Sequence, residues 1–166
     1  IGQSDGISKK IVEKALNNKI HVITPNKALI SKHGDYLSKI AENKKVNLEF
    51  EASVGGGIPI LRTIKEGLST NVITKVYGIL NGTCNYILSE MDKTNDSFKN
   101  VLKKAQSLGY AEPGDPKLDI NGYDTLAKVR ILSSLAFKKK ISRINLLMEG
   151  IESVSYTHLR AHETDY

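Results

Sequence analysis

The amino-acid sequence predicts an α/β fold, in which helices and strands alternate along the chain. Three observations favour this class. Apolar residues recur at helical spacing in several segments, short runs rich in β-branched residues lie between them, and Gly, Asn or Pro marks most boundaries. With 166 residues the chain is long enough to bury a hydrophobic core. We therefore expect helix–strand units that build a parallel sheet.

The first part of the chain is predicted to alternate between helix and strand. In order, the elements are a helix with Ile7, Ile11, Val12, Ala15 and Leu16 on one face, a strand over Ile20 to Thr24, a helix over Ala28 to Asn43, and a strand over Val46 to Ser53. Ser4 or Asp5 is placed to cap the first helix, because a short side chain with an oxygen can accept from the first free N–H groups.

The second part is predicted to contain mainly helices. In order, the elements are a helix from Pro59 with Ile60, Leu61, Ile64 and Leu68, a strand over Val72 to Leu80, a helix with Tyr86, Ile87 and Met91, a helix over Asp96 to Leu108, and a helix from about Asn121 with Leu126, Val129, Ile131 and Leu132. Asn81-Gly82 predicts a tight turn before the third of these elements, which Thr83 is placed to cap.

The chain is basic, with 24 Lys and Arg against 18 Asp and Glu and a net charge of +6. A solvated surface is the favoured interpretation of these lysines. The alternative is a phosphate-binding or nucleic-acid-binding face, with Lys99, Lys103, Lys104 and the run Lys138 to Lys140 as candidates. Because these lysines lack interleaved aromatic residues, we expect no nucleic-acid partner.

The single cysteine, Cys84, excludes an internal disulfide and is typical of a reducing compartment, so a cytoplasmic location is predicted. No apolar run approaches the roughly 20 residues that a membrane-spanning helix needs, and no membrane partner is expected. The first residue is Ile rather than Met, which favours a truncated chain.

The most informative stretch runs from Ala105 to Lys128. It combines one Glu, three Asp and two Lys with three Gly and two Pro, a mixture that suits a site better than a core. Asp124 and Lys128 are four residues apart on the helix that follows, so they share a face. Taken alone, that spacing is more typical of an ordinary ion pair.

This stretch closely resembles the signature of the homoserine dehydrogenase family. The matching positions are Ala105, Gly109, Tyr110, Asp115, Pro116, Asp119, Ile120, Gly122, Asp124 and Lys128. The resemblance implies an NAD(P)-dependent oxidoreductase that interconverts L-homoserine and L-aspartate 4-semialdehyde. Gly114 lengthens the spacing between Glu112 and Asp115 relative to some members of the family.

The resemblance also implies roles for these residues. Hydride transfer to or from a carbonyl needs a proton donor or acceptor at the oxygen, and the family's acid–base lysine corresponds to Lys128. Asp124 would orient Lys128 or bind the substrate, and Glu112 would pair with the substrate's ammonium group. The candidates are Lys128 and Asp124 for catalysis, Glu112, Asp124, Asp119 and Tyr110 for substrate binding, and Gly109 and Glu112 for cofactor binding.

Three earlier segments resemble further blocks of the family. Thr24-Pro25-Asn26-Lys27 resembles the element that meets the nicotinamide side of the cofactor, which implies Thr24 and Lys27 as cofactor-binding residues. Glu51 to Pro59 resembles a block that binds a monovalent cation, usually sodium, through oxygen atoms. The implied ligands are Glu51, Val54, Gly56 and Ile58, and a plain strand-to-helix turn is the alternative. Gly78 to Ile87 resembles a turn beside the substrate pocket.

The resemblance implies the end of a Rossmann-like nucleotide-binding domain followed by an α/β catalytic domain with a mixed sheet. No strand–G-x-G-x-x-G–helix unit is present, so the phosphate-binding start of such a domain is missing. The resemblance implies that residues 1–27 end the NAD(P)-binding domain and that residues 28–153 form the catalytic domain. The fragment is expected to be inactive alone and the full-length protein to be a homodimer. The choice between NAD and NADP stays open.

Residues 154–166 are predicted to be a non-native tail, because Val154 to Thr164 matches the translation of a transposase sequencing adapter. His158 and His162 in this tail are therefore not interpreted as a metal-ligand pair. Two other functions remain as alternatives. One is another two-domain dehydrogenase that acts on a different amino acid, and the other is a non-catalytic basic module that binds nucleic acid.

Overall fold

The structure, a computed structural model, describes residues 3–141 and 145–154. The chain divides into two compact units. The first unit is Ile1–Gly78 with Ala127–Leu146, and the second unit is Ile79–Leu126 with Leu147–Tyr166. Of the predicted non-native tail, residues 155–166 lie outside the described part of the chain, and with them both of its histidines.

The first unit begins with an α/β arrangement. Helix α1 spans Ile7–Asn17, strand β1 Val22–Ile23, helix α2 Lys27–Lys44 and strand β2 Leu48–Glu49. The two strands pair in parallel, with Val22 opposite Leu48. Parallel neighbours need a crossover between them, which α2 supplies. The predicted α/β class is confirmed by this unit.

The core of this arrangement is made by α1 and α2, whose side chains Leu16, Leu29, Ile30 and Leu37 are fully buried. The predicted apolar face of α1 is only partly correct, because Ile7 and Ile11 are exposed. Helical spacing identifies the stripe of apolar residues, but the width of the covering element decides how much of the stripe is buried.

The remainder of the first unit contains a single turn of 3-10 helix at Glu51–Ser53, a glycine loop, and helix α3 at Ile60–Arg62. A π-helical turn at Thr63–Gly67 continues α3, as predicted for a helix that carries buried Leu61 and Ile64. Pro59 lies immediately before α3, where its missing N–H group leaves no helical hydrogen bond unmade.

The second unit contains helices α4, Gly82–Thr94, α5, Phe98–Ser107, and the short α6, Lys117–Ile120. Helix α7, Tyr123–Ala136, begins in this unit and ends in the first. Buried apolar residues from α4, α5, α6 and the loop between α5 and α6 form one core. They are Ile87, Met91, Val101, Ala105, Ala111 and Ile120. The polar cluster of the second unit, described below, includes the N-terminal end of α4, which this core holds in place.

Residues 72–80, predicted as a strand, have no strand pairing in the structure. Val72, Tyr77 and Ile79 leave 89%, 86% and 74% of their surface exposed. β-branched and aromatic residues favour an extended backbone locally, but a strand also needs a neighbouring strand to pair with. The prediction of a strand over residues 72–80 is therefore wrong.

The predicted mixed sheet is not seen either. In residues 3–141 and 145–154 the sheet consists of β1 and β2, which are parallel.

The predicted cap of α1 is also wrong. Gly6, at φ 74°, is the N-cap residue and supplies no side-chain hydrogen bond. The Asp5 carboxylate instead bonds Lys32 at 2.6 Å and His33 at 2.8 Å, both on α2, and accepts from the Ser4 hydroxyl at 2.8 Å. The hydrogen bond from Lys32 is the main reason that the pKa of Asp5 lies well below its usual range. Charged hydrogen bonds to residues of α2, which are distant in the sequence, have therefore replaced the expected local cap.

Within the part of the chain that the structure describes, no helix combines the length and the apolar character that a bilayer-spanning segment requires.

Candidate active site

A buried asparagine organises the polar cluster of the second unit. Asn81, with 7% of its surface exposed, is the N-cap of α4, and its Oδ1 accepts from the Cys84 N–H at 2.8 Å. Because a backbone N–H can only donate, this contact fixes the orientation of the amide and turns its Nδ2 group the other way. Nδ2 donates to Asp119 Oδ1 at 2.8 Å and to Asp124 Oδ2 at 3.0 Å. Two predicted site carboxylates therefore meet at one amide.

Asp119 has two further contacts with the start of α4, from Thr83 and from Cys84. The Thr83 hydroxyl donates to the Tyr110 carbonyl at 2.7 Å, and its oxygen lies 3.4 Å from Asp119 Oδ2. The Cys84 thiol donates to the Asp119 carbonyl at 3.3 Å. The prediction that Thr83 caps α4 is wrong, because Asn81 does so, and Thr83 instead links α4 to the loop at Tyr110.

The loop before α6 carries Tyr110 and Glu112. Gly109, at φ 78°, ends α5 in the left-handed conformation, and the Tyr110 N–H then bonds the Ala105 carbonyl at 2.9 Å. The Tyr110 ring stacks on Tyr86 with centroids 4.5 Å apart. The Glu112 side chain is exposed. The backbone carbonyl of Glu112 accepts from Gln106 Nε2 at 3.0 Å. An exposed carboxylate beside a fixed backbone is suited to meet a cationic ligand from solvent.

The structure explains on steric grounds why position 122 is a glycine. It connects α6 to α7 at φ 85°, and a Cβ there would lie 3.1 Å from Met148 Cγ and 3.3 Å from the Glu149 carbonyl oxygen. A side chain would be strained by the backbone angle and crowded by its neighbours. This turn sets the position at which α7 starts, and Asp124 lies in the first turn of α7.

Cys84 lies beside the two aspartates. Partial burial raises the pKa of its thiol, and the negative charges of Asp119 and Asp124 raise it further. A thiol with a raised pKa is less often ionised near neutral pH and is a weaker nucleophile. This environment supports the interpretation of Cys84 as a helix residue rather than a nucleophile.

The shifted thiol predicts a pH dependence of alkylation. At about pH 8 we expect iodoacetamide to modify Cys84 more slowly in the folded chain than in the urea-unfolded chain, because a raised pKa leaves less thiolate at any given pH. The rate should also begin to rise at a higher pH in the folded chain. Mass spectrometry over a pH series measures both, and equal rates for the folded and unfolded chains would contradict the predicted shift.

The other predicted catalytic residue, Lys128, lies one turn beyond Asp124 on α7 and is half-buried. Asp124 belongs to the second unit and Lys128 to the first. The helix is continuous through both positions, which confirms the predicted shared helix.

The Thr24 to Lys27 element lies in the first unit, at the carboxyl end of β1. The buried Thr24 hydroxyl accepts from the Asn26 N–H at 3.2 Å, and the Asn26 side chain caps α2 by accepting from the Leu29 N–H at 3.0 Å. Lys27 is therefore the first residue of α2, and it is half-buried. Thr24 also lines a cavity of about 510 Å³ together with Ile11, Val12, Pro25 and Leu29.

The predicted cation block has a well-defined geometry. Both oxygens of Glu51 accept from the start of α3, from the Leu61 N–H at 2.9 Å and the Arg62 N–H at 2.8 Å. Gly55 and Gly56 have φ of 79° and 59°, and the Ile58 carbonyl accepts from the Ile60 N–H at 2.8 Å. In residues 3–141 and 145–154, no three His, Cys, Asp or Glu side chains come together as a metal site.

Asn81 was not predicted as a site residue. Asn-Gly before a helix was interpreted as a tight turn, although Asn is also among the best N-cap residues. The Asn at this position could therefore have been predicted as the cap of α4, with its side chain at the N-terminal end of that helix. Its contacts with Asp119 and Asp124, 38 and 43 residues away, could not be predicted from local sequence.

Comparison with known proteins decides the family. A family model described as homoserine dehydrogenase matches residues 59–165, which is more than half of the chain. The chain belongs to the homoserine dehydrogenase family. A second model, described as the NAD-binding domain of homoserine dehydrogenase, matches residues 4–51. The two matches confirm the predicted family and the presence of part of its NAD-binding domain.

Individual homoserine dehydrogenases are similar along nearly the whole chain. The Neisseria gonorrhoeae enzyme is 43% identical over 162 residues, which are 97% of this chain and 37% of that protein. The Bacillus subtilis enzyme is 43% identical over 148 residues, which are 89% of this chain and 34% of that protein. The chain therefore spans about a third of the length of these relatives.

Solved structures give the same result. The crystal structure of a homoserine dehydrogenase from Thiobacillus denitrificans matches with a TM-score of 0.88 at 43% identity, covering 95% of this chain and 36% of that one. A hyperthermophilic archaeal homoserine dehydrogenase in complex with NADPH matches with a TM-score of 0.80 at 27% identity, covering 89% of this chain and 45% of that one.

Proposed function

We propose that this chain is part of an enzyme that interconverts L-homoserine and L-aspartate 4-semialdehyde with NAD or NADP. The observation that carries the proposal is the meeting of Asp119 and Asp124 at the buried Asn81 amide, in a chain of the homoserine dehydrogenase family. A small amino acid carries an ammonium group, and a cluster of carboxylates attracts it. The Neisseria gonorrhoeae and Bacillus subtilis relatives support the reaction by their names.

The substrate would be held by residues of the second unit. The exposed Glu112 carboxylate would pair with the ammonium group, with Asp124 and Asp119 adding negative charge behind it. Tyr110 would close one side of the site, since its ring is fixed against Tyr86. Specificity for homoserine would then come from charge at the amino group and from polar contacts at the hydroxyl group.

The chemical step needs a proton to move at the hydroxyl oxygen while a hydride moves at the carbon. A bound nicotinamide supplies or accepts the hydride. Lys128 would take the hydroxyl proton in the oxidising direction and return it in the reducing direction. Asp124, one turn earlier on α7, would orient Lys128 or the substrate. Lys27 would stabilise negative charge that develops at the reacting oxygen.

The residues proposed to bind the cofactor are Thr24, Lys27, Gly109 and Glu112. The cavity beside Thr24 supports the first of these, because it lies beyond the carboxyl end of β1, where open α/β sheets bind ligands, and its lining is mainly apolar. The NADPH complex of the archaeal relative supports a nicotinamide cofactor. NADP and NAD both remain in the proposal.

We further propose a monovalent cation, sodium, at Glu51 and the carbonyl groups of Val54, Gly56 and Ile58. The donor set consists of oxygen atoms only, which suits a hard cation, and Gly55 and Gly56 adopt angles that a side chain would strain. Each Glu51 oxygen already accepts one N–H, and a carboxylate oxygen can accept a second partner.

Glu51 provides a test of this cation proposal. We expect Glu51→Ala to lower the free energy of unfolding by about 1–2 kcal/mol, because α3 loses two hydrogen bonds to a charged acceptor. Sodium should raise the thermal midpoint of the parent chain relative to an equal concentration of a bulky organic cation, and it should not do so for Glu51→Gln. An equal sodium response in the parent and in Glu51→Gln would contradict the cation site.

The remaining proposals concern the whole protein. We expect a homodimer, a cytoplasmic location and a division in which residues 1–27 end the nucleotide-binding domain and residues 28–153 form the catalytic domain. The tail at 154–166 is proposed to be non-native. The resemblance to the family supports the first three of these, and the match to a sequencing adapter supports the last.

Complementation tests the proposed function in a cell. The full-length gene that contains this chain is expressed in a bacterium that lacks its own homoserine dehydrogenase. We expect growth without added threonine and methionine, because the reaction supplies the precursor of both. Added homoserine should rescue the empty-vector control. If homoserine rescues the strain and the expressed, folded protein does not, the proposed reaction is wrong.

A further inference from the structure

We infer that Asn81 is a positioning residue of the active site, which holds the Asp119 and Asp124 carboxylates together for substrate binding. The inference rests on the proposed function. Asn81 lies in the block Gly78 to Ile87, but the resemblance implied no role for it in binding substrate, cofactor or cation. Asn81 itself would touch neither substrate nor cofactor. It would act through the two carboxylates that its amide bonds.

The Asn81 amide uses its oxygen and both of its hydrogens in bonds within the protein. Oδ1 accepts from the Cys84 N–H, and the two hydrogens of Nδ2 go to Asp119 and Asp124 at 2.8 and 3.0 Å. Asn81 is buried, so water could replace these bonds only by entering the protein. An amide is the smallest side chain that accepts once and donates twice, and aspartate or serine could not make the same set.

Asn81 also lowers the electrostatic cost of placing Asp119 beside Asp124. Two carboxylates that bond one nitrogen are close enough to repel each other, and the repulsion is stronger away from bulk water. A neutral amide with both hydrogens directed at the two carboxylates offsets part of that repulsion. A lysine in its place would neutralise the negative charge that an incoming ammonium group needs. The amide therefore preserves the charge of the cluster while fixing its geometry.

Asn81 positions the carboxylates with different atoms from the one that caps α4. Capping α4 uses only Oδ1, and Asp and Ser are as good at an N-cap as Asn. The bonds from Nδ2 to the two carboxylates add nothing to the cap. They do fix Asp124 in the first turn of α7, one turn before Lys128. Variants that retain the cap and lose the bridge can therefore isolate the positioning role.

Asn81→Asp and Asn81→Ser in the full-length protein test this role. Both retain a capping oxygen and both lose the donors, and only the first adds a charge. We expect kcat/KM for L-homoserine to fall about tenfold or more in each variant, chiefly through KM, because the carboxylates are no longer held in register. The KM for the nicotinamide cofactor should change little in either variant. The thermal midpoint should change little in Asn81→Ser, whereas Asn81→Asp should lower it because it adds a third carboxylate at a buried position beside Asp119 and Asp124.

Asn100→Asp is the matched control. Asn100 also donates from Nδ2 to a carboxylate, Asp96 Oδ1 at 2.8 Å, but on the exposed surface of α5. The change removes an amide donor and adds a charge in the same way, and we expect wild-type kinetics. If Asn81→Ser retains wild-type kcat/KM for homoserine, or if both Asn81 variants fail to fold, the positioning role is overturned. An inactive but folded parent protein would instead overturn the proposed function.

Discussion

Lys128→Ala is expected to lower kcat of the full-length protein about a hundredfold to ten-thousandfold, the range that a positioned general acid or base contributes. The physical reason is that the hydroxyl proton of the substrate loses its acceptor at the moment the hydride leaves. Cofactor binding should change little, because the proposed cofactor contacts of the first unit, Thr24 and Lys27, are unaltered. Steady-state kinetics and a separate titration with the reduced nicotinamide measure the two effects.

Lys103→Ala supplies the control for this prediction. Lys103 is an exposed lysine on α5, so its removal changes the net charge equally without touching the proposed site. Its kinetics should match those of the parent. Near-parental turnover in Lys128→Ala would remove the acid–base role from Lys128, and another proton carrier would have to be sought.

Ile87→Ala is expected to lower the free energy of unfolding by about 3 kcal/mol, as large-to-small changes of fully buried aliphatic residues do. Ile87 has 0% of its surface exposed and packs in the core of the second unit with Met91 and Val101. The loss should concentrate in α4, the helix that Asn81 caps. Hydrogen exchange of the α4 amides in the full-length protein measures it locally.

Ile79→Ala removes the same atoms from a side chain that is 74% exposed, and it should change stability by no more than about 0.5 kcal/mol. Equal protection of the α4 amides in Ile87→Ala and the parent would show that this core does not hold α4.

The helices were the most predictable part of the fold. Helix α2 was expected over Ala28 to Asn43 and spans Lys27–Lys44, because its apolar periodicity and its bounding turns act locally. The strand expected over residues 72–80 failed for the opposite reason. Pairing depends on a neighbouring strand, and composition alone does not reveal whether one is present.

The site was predictable in its residues and not in its connections. The signature around Asp119 and Asp124 identified two carboxylates that the structure brings together. The amide that joins them comes from a segment interpreted as a turn, and long-range hydrogen bonds leave no periodic signal in a sequence. The same limit explains Asp5, whose expected capping role was replaced by bonds to Lys32 and His33 on α2.

The most direct test of the central claim is a substrate assay of the full-length protein that contains this chain. The purified protein is mixed with NAD or NADP and with L-homoserine, L-serine or L-threonine in turn, and formation of the reduced nicotinamide is followed by absorbance. We predict formation with L-homoserine and little or none with the other two amino acids. A folded protein that reduces the nicotinamide only with another amino acid, or with none of them, would contradict the proposed reaction.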